Sequence, residues 1–136
     1  VDPATGEMHT LLRHLDQRGG TSYYYHYLGR PDGTWTQSQT NFDGNTASLA
    51  VVGDRLYAFV GRDKGQIYYA ERKNEFRKWK RLEIEIEKRR KFDPRGGFIT
   101  WDLSLVKEGK VSLLWHRAPE KSGVSSPLQV FDIAFK

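Results

Sequence analysis

The stretch that decides the fold is "SLAVVGDRLYAFVGRDKGQIYYAER", residues 48 to 72. Short runs of bulky apolar residues alternate in it with small or polar ones, and Gly53-Asp54 and the segment 61–65 interrupt these runs. A period of two with Gly-containing interruptions is typical of strands joined by hairpin turns. The pattern predicts an antiparallel meander of four strands, at residues 48–52, 55–60, 66–72 and 79–86.

The second of these strands has two counterparts elsewhere in the chain. "GEMHTLLRH" (6–14), "DRLYAFVGR" (54–62) and "GKVSLLWHR" (109–117) superpose without gaps, and "WDLSLVKEG" (101–109) superposes on "TASLAVVGD" (46–54). Units of about 50 residues with up to four strands each are typical of propeller blades. The repeat predicts an all-β fold of two and a half to three four-stranded antiparallel β-propeller blades, at approximately 1–40, 41–91 and 92–136. Because so few blades cannot close a ring, we expect the chain to be the C-terminal part of a larger propeller.

A second repeat distinguishes residues that build the scaffold from residues that are candidates for ligand contact. "YYYHYLGRPDGTW" (23–35) and "IYYAERKNEFRKW" (67–79) share two aromatic positions and a tryptophan at a spacing of 44 residues. Asp32-Gly33 predicts a tight turn, and Trp35 is expected to pack between neighbouring sheets. His26 and Arg30 have no such structural explanation, since Ala70 and Asn74 replace them in the second copy. They are therefore candidates for ligand contact.

Charge and composition narrow the class of partner. The chain of 136 residues carries 22 Lys and Arg against 17 Asp and Glu, a formal net charge of +5, which favours an anionic partner. Zero cysteines exclude disulfides, thiolate zinc sites and cysteine nucleophiles. The cations are dispersed and the aromatic residues follow strand periodicity, so nucleic acid is not expected as a partner. No apolar run approaches the roughly 20 residues that cross a bilayer, and no membrane partner is expected.

The order of these features resembles the C-terminal blades of BNR-type repeat propellers in polysaccharide lyases. The similar segments are "DPATGEMHTL", "SYYYHY", "PDGTW", "ASLAVVGDRLYAFV", "WDLSLVKEGKVSLLWHR" and "SPLQVFDIAF". The ulvan lyases and rhamnose-glucuronate lyases of this type are seven-bladed and cleave uronate-containing polysaccharides by β-elimination. The resemblance implies secretion or a periplasmic location, an anionic polysaccharide and the remaining blades as partners, and a structural divalent metal, zinc or calcium, in the complete propeller. It places the catalytic base in earlier blades, outside this chain.

Lyase chemistry requires a base and cations that stabilise the charge growing on the uronate carboxylate. The simplest hairpin through Gly19 pairs Thr10 with His26 and His14 with Ser22. His14 and His26 then share one face about 13 Å apart at ~3.3 Å per residue, and His9 points to the other. A single metal ion cannot bind His14 and His26 at this distance. A metal at His9 or His26 therefore needs ligands from other blades.

The strand ends supply the remaining candidates for substrate binding. His14, Arg62 and Arg117 occupy one register of the repeat, with His116 beside Arg117, and are expected to ring one mouth of the propeller. The substrate-binding candidates are thus His26, Arg30, His14, Arg62, His116 and Arg117. Two alternatives to a lyase stay open. One is a non-catalytic propeller that binds carbohydrate or protein. The other is a sialidase-like glycoside hydrolase, for which the candidate carboxylates are Asp43, Asp93 and Asp102.

Overall fold

The fold is known from a computed structural model, which describes residues 1–15, 20, 22–61, 65–84, 97–117, 119, 121–125 and 128–135. These residues form three antiparallel sheets. The first sheet contains β1 (Met8–Leu15), β2 (Ser22–Gly29) and β3 (Trp35–Gln39). The second contains β4 (Thr46–Val52), β5 (Arg55–Gly61), β6 (Gln66–Glu71) and β7 (Lys80–Leu82). The third contains β8 (Gly97–Asp102), β9 (Lys110–Arg117) and β10 (Leu128–Ala134).

The all-β prediction and the four-stranded meander are confirmed. The second sheet has the order β4-β5-β6-β7, and each strand pairs with its sequence neighbour. Gly53-Asp54 forms the two-residue turn between β4 and β5, with Val52 opposite Arg55 and Gly53 at a φ of 59°. Glycine adopts this left-handed conformation without steric cost, which explains why the hairpin turns there.

The three sheets stack face to face, and the second sheet is buried on both sides. Leu56, Ala58 and Val60 point from β5 into a core shared with the first sheet, where they meet residues such as Tyr24 and Leu28. The alternate β5 residues Tyr57 and Phe59 point into a second core shared with the third sheet, which includes Val111, Leu113 and Ile133. Because β-strand side chains alternate between faces, a strand buried on both sides needs apolar residues at successive positions, as β5 has from Leu56 to Val60.

The hairpin of β1 and β2 differs from the prediction by one residue. Leu11, not Thr10, lies opposite His26, and His14 lies opposite Tyr23. A shift of one residue exchanges the two faces of a strand. His9 and His26 therefore share the face toward the second sheet, whereas His14 points to the outer face, and the predicted pairing of His14 with His26 on one face is wrong. The observed register is the one that buries Leu11 together with Tyr24 and Leu28.

The third sheet departs from the gapless superposition. Asp102 lies opposite Ser112, so β8 ends seven residues before Gly109 instead of at a two-residue turn. The connection contains a 3₁₀ helix, Val106–Glu108, which ends at Gly109 with a φ of 77°. Leu103 and Val106 pack on the second core, and this burial explains the longer path. Asp102 accepts a hydrogen bond from the Ser104 amide at 2.9 Å and so caps the turn.

The Asp32-Gly33 turn is confirmed, but Trp35 does not pack between sheets. The Asp32 carboxylate accepts hydrogen bonds from the Thr34 amide and hydroxyl, and Gly33 has a φ of 85°. Trp35 is 54% exposed and lies over Gly29, where a Cβ would come within 2.7 Å of the indole ring. The buried tryptophan is its repeat partner Trp79, which packs against Phe42 and His26 between the first two sheets.

The predicted fourth strand is shorter than 79–86 in the described residues, where β7 covers Lys80–Leu82. Beyond it, Ile84 is buried in the second core. Glu83, between Leu82 and Ile84, is exposed, and the alternating Glu85 and Glu87 lie outside the described residues. Within the described ranges, no helix has the length and apolar character needed to cross a bilayer.

Candidate functional site

Two polar clusters lie between the first and second sheets. The histidine cluster contains His9 and His26, which the sequence assigned to opposite faces. Its two imidazoles stack with ring centroids 5.3 Å apart, and His9 Nδ1 lies 3.1 Å from His26 Nε2. His26 is only 1% exposed. A polysaccharide on the surface cannot reach an imidazole in this position, so the structure gives His26 a place in the packing between the sheets.

The surroundings of the histidine pair favour neutral rings. Burial and, to a smaller extent, the nearby His9 lower the pKa of His26 to about 4. Burial also lowers the pKa of His9. The edges of both rings meet Phe76, and Trp79 packs against His26. At neutral pH one ring N–H therefore donates to the unprotonated nitrogen of the other ring, and the buried Nε2 of His9 has no hydrogen-bond partner within the part of the chain that the structure describes.

An ion-pair network adjoins His9. The Arg72 guanidinium donates to the carboxylates of Asp2 and Glu7, and its Cζ lies 5.2 Å from the centroid of the Phe76 ring. Burial alone raises the pKa of Asp2, but hydrogen bonds from the Ala4 amide, Arg72 and the Thr5 hydroxyl outweigh it and lower that pKa below 3.8. These ion pairs hold the turn at residues 2–7 against Arg72, the residue that follows β6.

The two carboxylates of this network and His9 together form a candidate metal site. Ligand atoms of Asp2, Glu7 and His9 lie within 4.8 Å of one another. Both carboxylates are already paired with Arg72, however, and a divalent ion would have to displace a guanidinium that makes two charge-assisted hydrogen bonds. This donor set therefore does not fit a resident zinc or calcium ion, and the metal that the resemblance implies at His9 or His26 finds no support in the cluster.

The second cluster is a polar cleft, formed by Arg13, Ser22 and Asp43 with Tyr23, Asn41, Phe42, Gln66 and Tyr68 around it. Its volume is about 510 Å³. Arg13 Nε donates to Asp43 Oδ1 at 2.9 Å, Arg13 Nη2 donates to the Ser22 hydroxyl at 2.7 Å, and that hydroxyl donates to Asp43 Oδ2 at 3.1 Å. Tyr68 donates its hydroxyl proton to Gln66 Oε1. The cleft thus presents a cation, a carboxylate, hydroxyls and an amide in one concave surface.

Local structure brings the cleft residues together from distant positions. Arg13 lies near the end of β1, and Ser22 begins β2. Asp43 belongs to the connection from β3 to β4, which returns alongside β2 because the Thr40 amide and hydroxyl both donate to the Tyr24 carbonyl. Phe42 then fills the core between the sheets, and its burial holds Asp43 beside Arg13.

The electrostatics of the cleft suit binding better than proton abstraction. Burial alone raises the pKa of Asp43, but hydrogen bonds from Arg13, the Gly44 amide and Ser22 outweigh it, so that pKa lies below 3.8. A carboxylate with a lowered pKa is a weak base at neutral pH. It is a permanent hydrogen-bond acceptor, and the Arg13 side chain, 43% exposed, is a permanent donor at the rim.

The other predicted site residues do not converge. His14 lies on the outer face of the first sheet and shares a hydrogen bond of 3.0 Å with the Tyr27 hydroxyl. His116 is exposed on the third sheet, opposite Leu128, and Arg117 is the last residue of β9. Arg30 lies at the far end of β2, with Nη2 4.0 Å from Glu75 Oε1. Arg62 lies outside the described residues, so the ring of three cations at one mouth stays a prediction.

The carboxylates proposed for a hydrolase are not paired in the described residues. Asp43 is bound to Arg13 in the cleft, whereas Asp102 caps a turn of the third sheet. Asp93 lies outside the described residues. From the sequence, Asp43 was a candidate hydrolase carboxylate, whereas Arg13 and Ser22 were not candidates for any site. No local motif connects residues that are up to 30 positions apart.

Comparison of the chain with protein-family models, with curated proteins and with solved structures gives no match.

Proposed function

We propose that this chain is the polysaccharide-binding part of a propeller lyase, and that the polar cleft binds a sugar residue of a uronate-containing anionic polysaccharide. The observation that carries the proposal is the cleft itself, in which Arg13, Ser22 and Asp43 form one hydrogen-bonded group in a concavity of about 510 Å³. A concave site with a few convergent polar groups is the usual form of a small-ligand site. The net charge of +5 supports an anionic ligand.

Each group has a role that follows from its chemistry. The Arg13 guanidinium offers several donors in a plane, which suits the carboxylate of a uronate. The Asp43 carboxylate and the Gln66 side chain accept hydrogen bonds from sugar hydroxyls. In β-elimination the cleft would hold the substrate, and the base that removes the proton next to the carboxylate would come from elsewhere in the propeller.

A binding experiment tests the cleft. Calorimetric titration with a uronate-containing polysaccharide should give measurable affinity, and a neutral polysaccharide of similar length should bind more weakly. Arg13→Gln should weaken binding of the uronate polymer by about tenfold or more, since a hydrogen bond to a charged group contributes about 1.5–3 kcal/mol.

The matched control is Lys107→Gln, which removes one positive charge from the exposed 3₁₀ helix of the third sheet. It should leave affinity nearly unchanged. If both variants weaken binding equally, attraction to the whole basic surface explains it and the cleft proposal fails. Thermal unfolding of each variant verifies that a lost affinity is not a lost fold.

The reaction is tested separately with the full-length protein. Incubation with uronate polysaccharides should generate the ultraviolet absorbance of an unsaturated uronate product. Release of reducing ends without that absorbance would favour the glycoside hydrolase, and binding with neither product would favour the non-catalytic propeller. Both outcomes contradict the lyase reaction while leaving the binding role of the cleft intact.

A further inference from the structure

The side-chain amide of Gln66 is oriented by its neighbour in the polar cleft. The hydroxyl of the buried Tyr68 donates to Gln66 Oε1 at 2.9 Å, and the Tyr68 ring is held by stacking on Phe42. The second lone pair of Oε1 remains for a sugar hydroxyl. Gln66 Nε2 carries two N–H donors that have no hydrogen-bond partner among the described residues, so this end of the amide is the free donor of the cleft.

The two walls of the cleft belong to different sheets, and each wall has one such donor group. Arg13 lies on β1 of the first sheet, whereas Gln66 begins β6 of the second sheet. Arg13 uses Nε and Nη2 for Asp43 and Ser22, which leaves Nη1 as its free nitrogen in the described part of the chain. A carboxylate accepts on two oxygens and can therefore bind to both walls at once.

The acceptors of the cleft lie on another segment, the connection from β3 to β4. Asn41 Nδ2 donates to the Trp79 carbonyl at 3.1 Å, and this bond leaves Asn41 Oδ1 as an acceptor. Asp43, two residues further on, is the other acceptor. Donors and acceptors thus occupy separate parts of one concavity of about 510 Å³. This arrangement suits a ligand that has a carboxylate at one position and hydroxyls at others.

We infer that Gln66 determines the specificity of the cleft for uronates, with the sugar carboxylate accepting hydrogen bonds from Arg13 Nη1 on one wall and Gln66 Nε2 on the other. This inference rests on the proposed function of the cleft and adds the residue that distinguishes a uronate from a neutral sugar. A neutral sugar has a primary alcohol in place of the carboxylate. Its single oxygen cannot accept from both walls, so one donor group loses its partner and the neutral sugar is disfavoured.

Gln66→Glu tests the inference. Glutamate has the shape of glutamine and keeps an oxygen for the Tyr68 hydroxyl, but a charged oxygen that repels a carboxylate replaces the two donors. Gln66→Met is a second variant, which removes the donors without adding charge. Gln129→Glu is the matched control, because Gln129 is exposed on β10 of the third sheet and the substitution adds the same charge outside the cleft. Thermal unfolding verifies the fold of each variant.

The probes are ulvan and the same polymer after chemical reduction of its carboxylates to primary alcohols. Calorimetric titration should show that the unaltered chain and Gln129→Glu both prefer ulvan to the reduced polymer. Gln66→Glu should lose about tenfold or more of its affinity for ulvan, since a hydrogen bond to a charged group contributes about 1.5–3 kcal/mol. Its affinity for the reduced polymer should be nearly unchanged, and Gln66→Met should likewise lose the preference for ulvan.

Three results would overturn the inference and leave the proposed function standing. They are equal affinity of the unaltered chain for the two polymers, undiminished affinity of Gln66→Glu for ulvan, and an equal loss for both polymers in Gln66→Glu. In the last case Gln66 would contribute to the cleft without distinguishing the carboxylate. If the unaltered chain binds neither polymer, the proposed function itself fails, and the inference fails with it.

Discussion

Replacing Arg72 with methionine is expected to destabilise the chain by about 3–5 kcal/mol, the usual effect of removing one partner from a buried ion pair. Methionine keeps the length of the side chain and removes its charge and donors. Asp2, whose side chain is 3% exposed, would lose the cation that pairs with it. Glu7 would likewise lose the charge-assisted hydrogen bond that it accepts from Arg72. Free energies of unfolding from urea titration measure the change.

The matched control is Lys73→Met, at the neighbouring position. Lys73 pairs with Glu71 at 3.1 Å, but its side chain is 72% exposed, so water screens the pair and the expected loss is below about 1 kcal/mol. Adding Asp2→Asn to Arg72→Met should recover part of the stability, because the uncompensated buried charge is then removed. If Asp2→Asn leaves the stability of the Arg72→Met chain unchanged, an unpaired Asp2 is not the cause of the loss.

The folding pattern was predictable where it depends on single strands. In β5 nearly every residue is apolar, and this follows directly from its burial on both faces, which made both the strand and its neighbours recognisable. Gly53-Asp54 fixed the β4–β5 register locally, because a two-residue turn leaves no freedom in the pairing. The Asp32-Gly33 turn was predictable for the same reason.

Register without a tight turn was not predictable. Several registers of β1 against β2 are compatible with the sequence between Leu15 and Ser22, and the choice depends on packing Leu11 beside Tyr24. In the observed register His9, and not His14, is the neighbour of His26. The exposure of Trp35 and the burial of Trp79 likewise depend on which sheet lies opposite each residue, which the identical spacing in the two repeats could not reveal.

The cleft was predictable only in part. The sequence indicated an anionic ligand and cations at strand ends, but Arg13 was not among the candidates, because its partner Asp43 reaches it through a connection whose path is set by Thr40 and Phe42. Contacts between residues 30 positions apart leave no trace in local periodicity. The choice of His26 from the repeat did identify an unusual position, although its neighbours give it a structural role.

Mild acid is expected to destabilise the chain through the histidine pair. The pKa of His26 falls from an ordinary value of 6.5 to about 4 on folding, so between these pH values the unfolded chain binds a proton that the folded chain does not. The contribution of His26 to the free energy of unfolding is therefore complete above pH 6.5 and is lost as the pH decreases toward 4. The loss is about 3 kcal/mol, for a pKa shift of about 2.5 units at 1.36 kcal/mol each.

The groups that face the pair do not reverse this sign. Phe76 and Trp79 are neutral, and Arg72 keeps its charge throughout the range. Asp2 and Glu7 raise the pKa of His9, yet burial outweighs them and that pKa is also lowered. The Asp2 contribution, from a folded pKa below 3.8, is lost only at a lower pH than the histidine window, which separates the two effects in one titration.

His26→Leu tests the assignment, since leucine fills the buried position and does not titrate. Urea unfolding at a series of pH values from 7 to 4.5 should show a clear loss of stability in the unaltered chain and a much shallower one in His26→Leu, with the remaining slope due to His9. His14→Gln is the control for the loss of one histidine, because His14 lies on the exposed outer face and not between the sheets. Parallel curves for His26→Leu and the unaltered chain would mean that the loss arises elsewhere. A shallow curve for His26→Leu alone would assign the loss of stability in acid to the burial of His26 between the first two sheets.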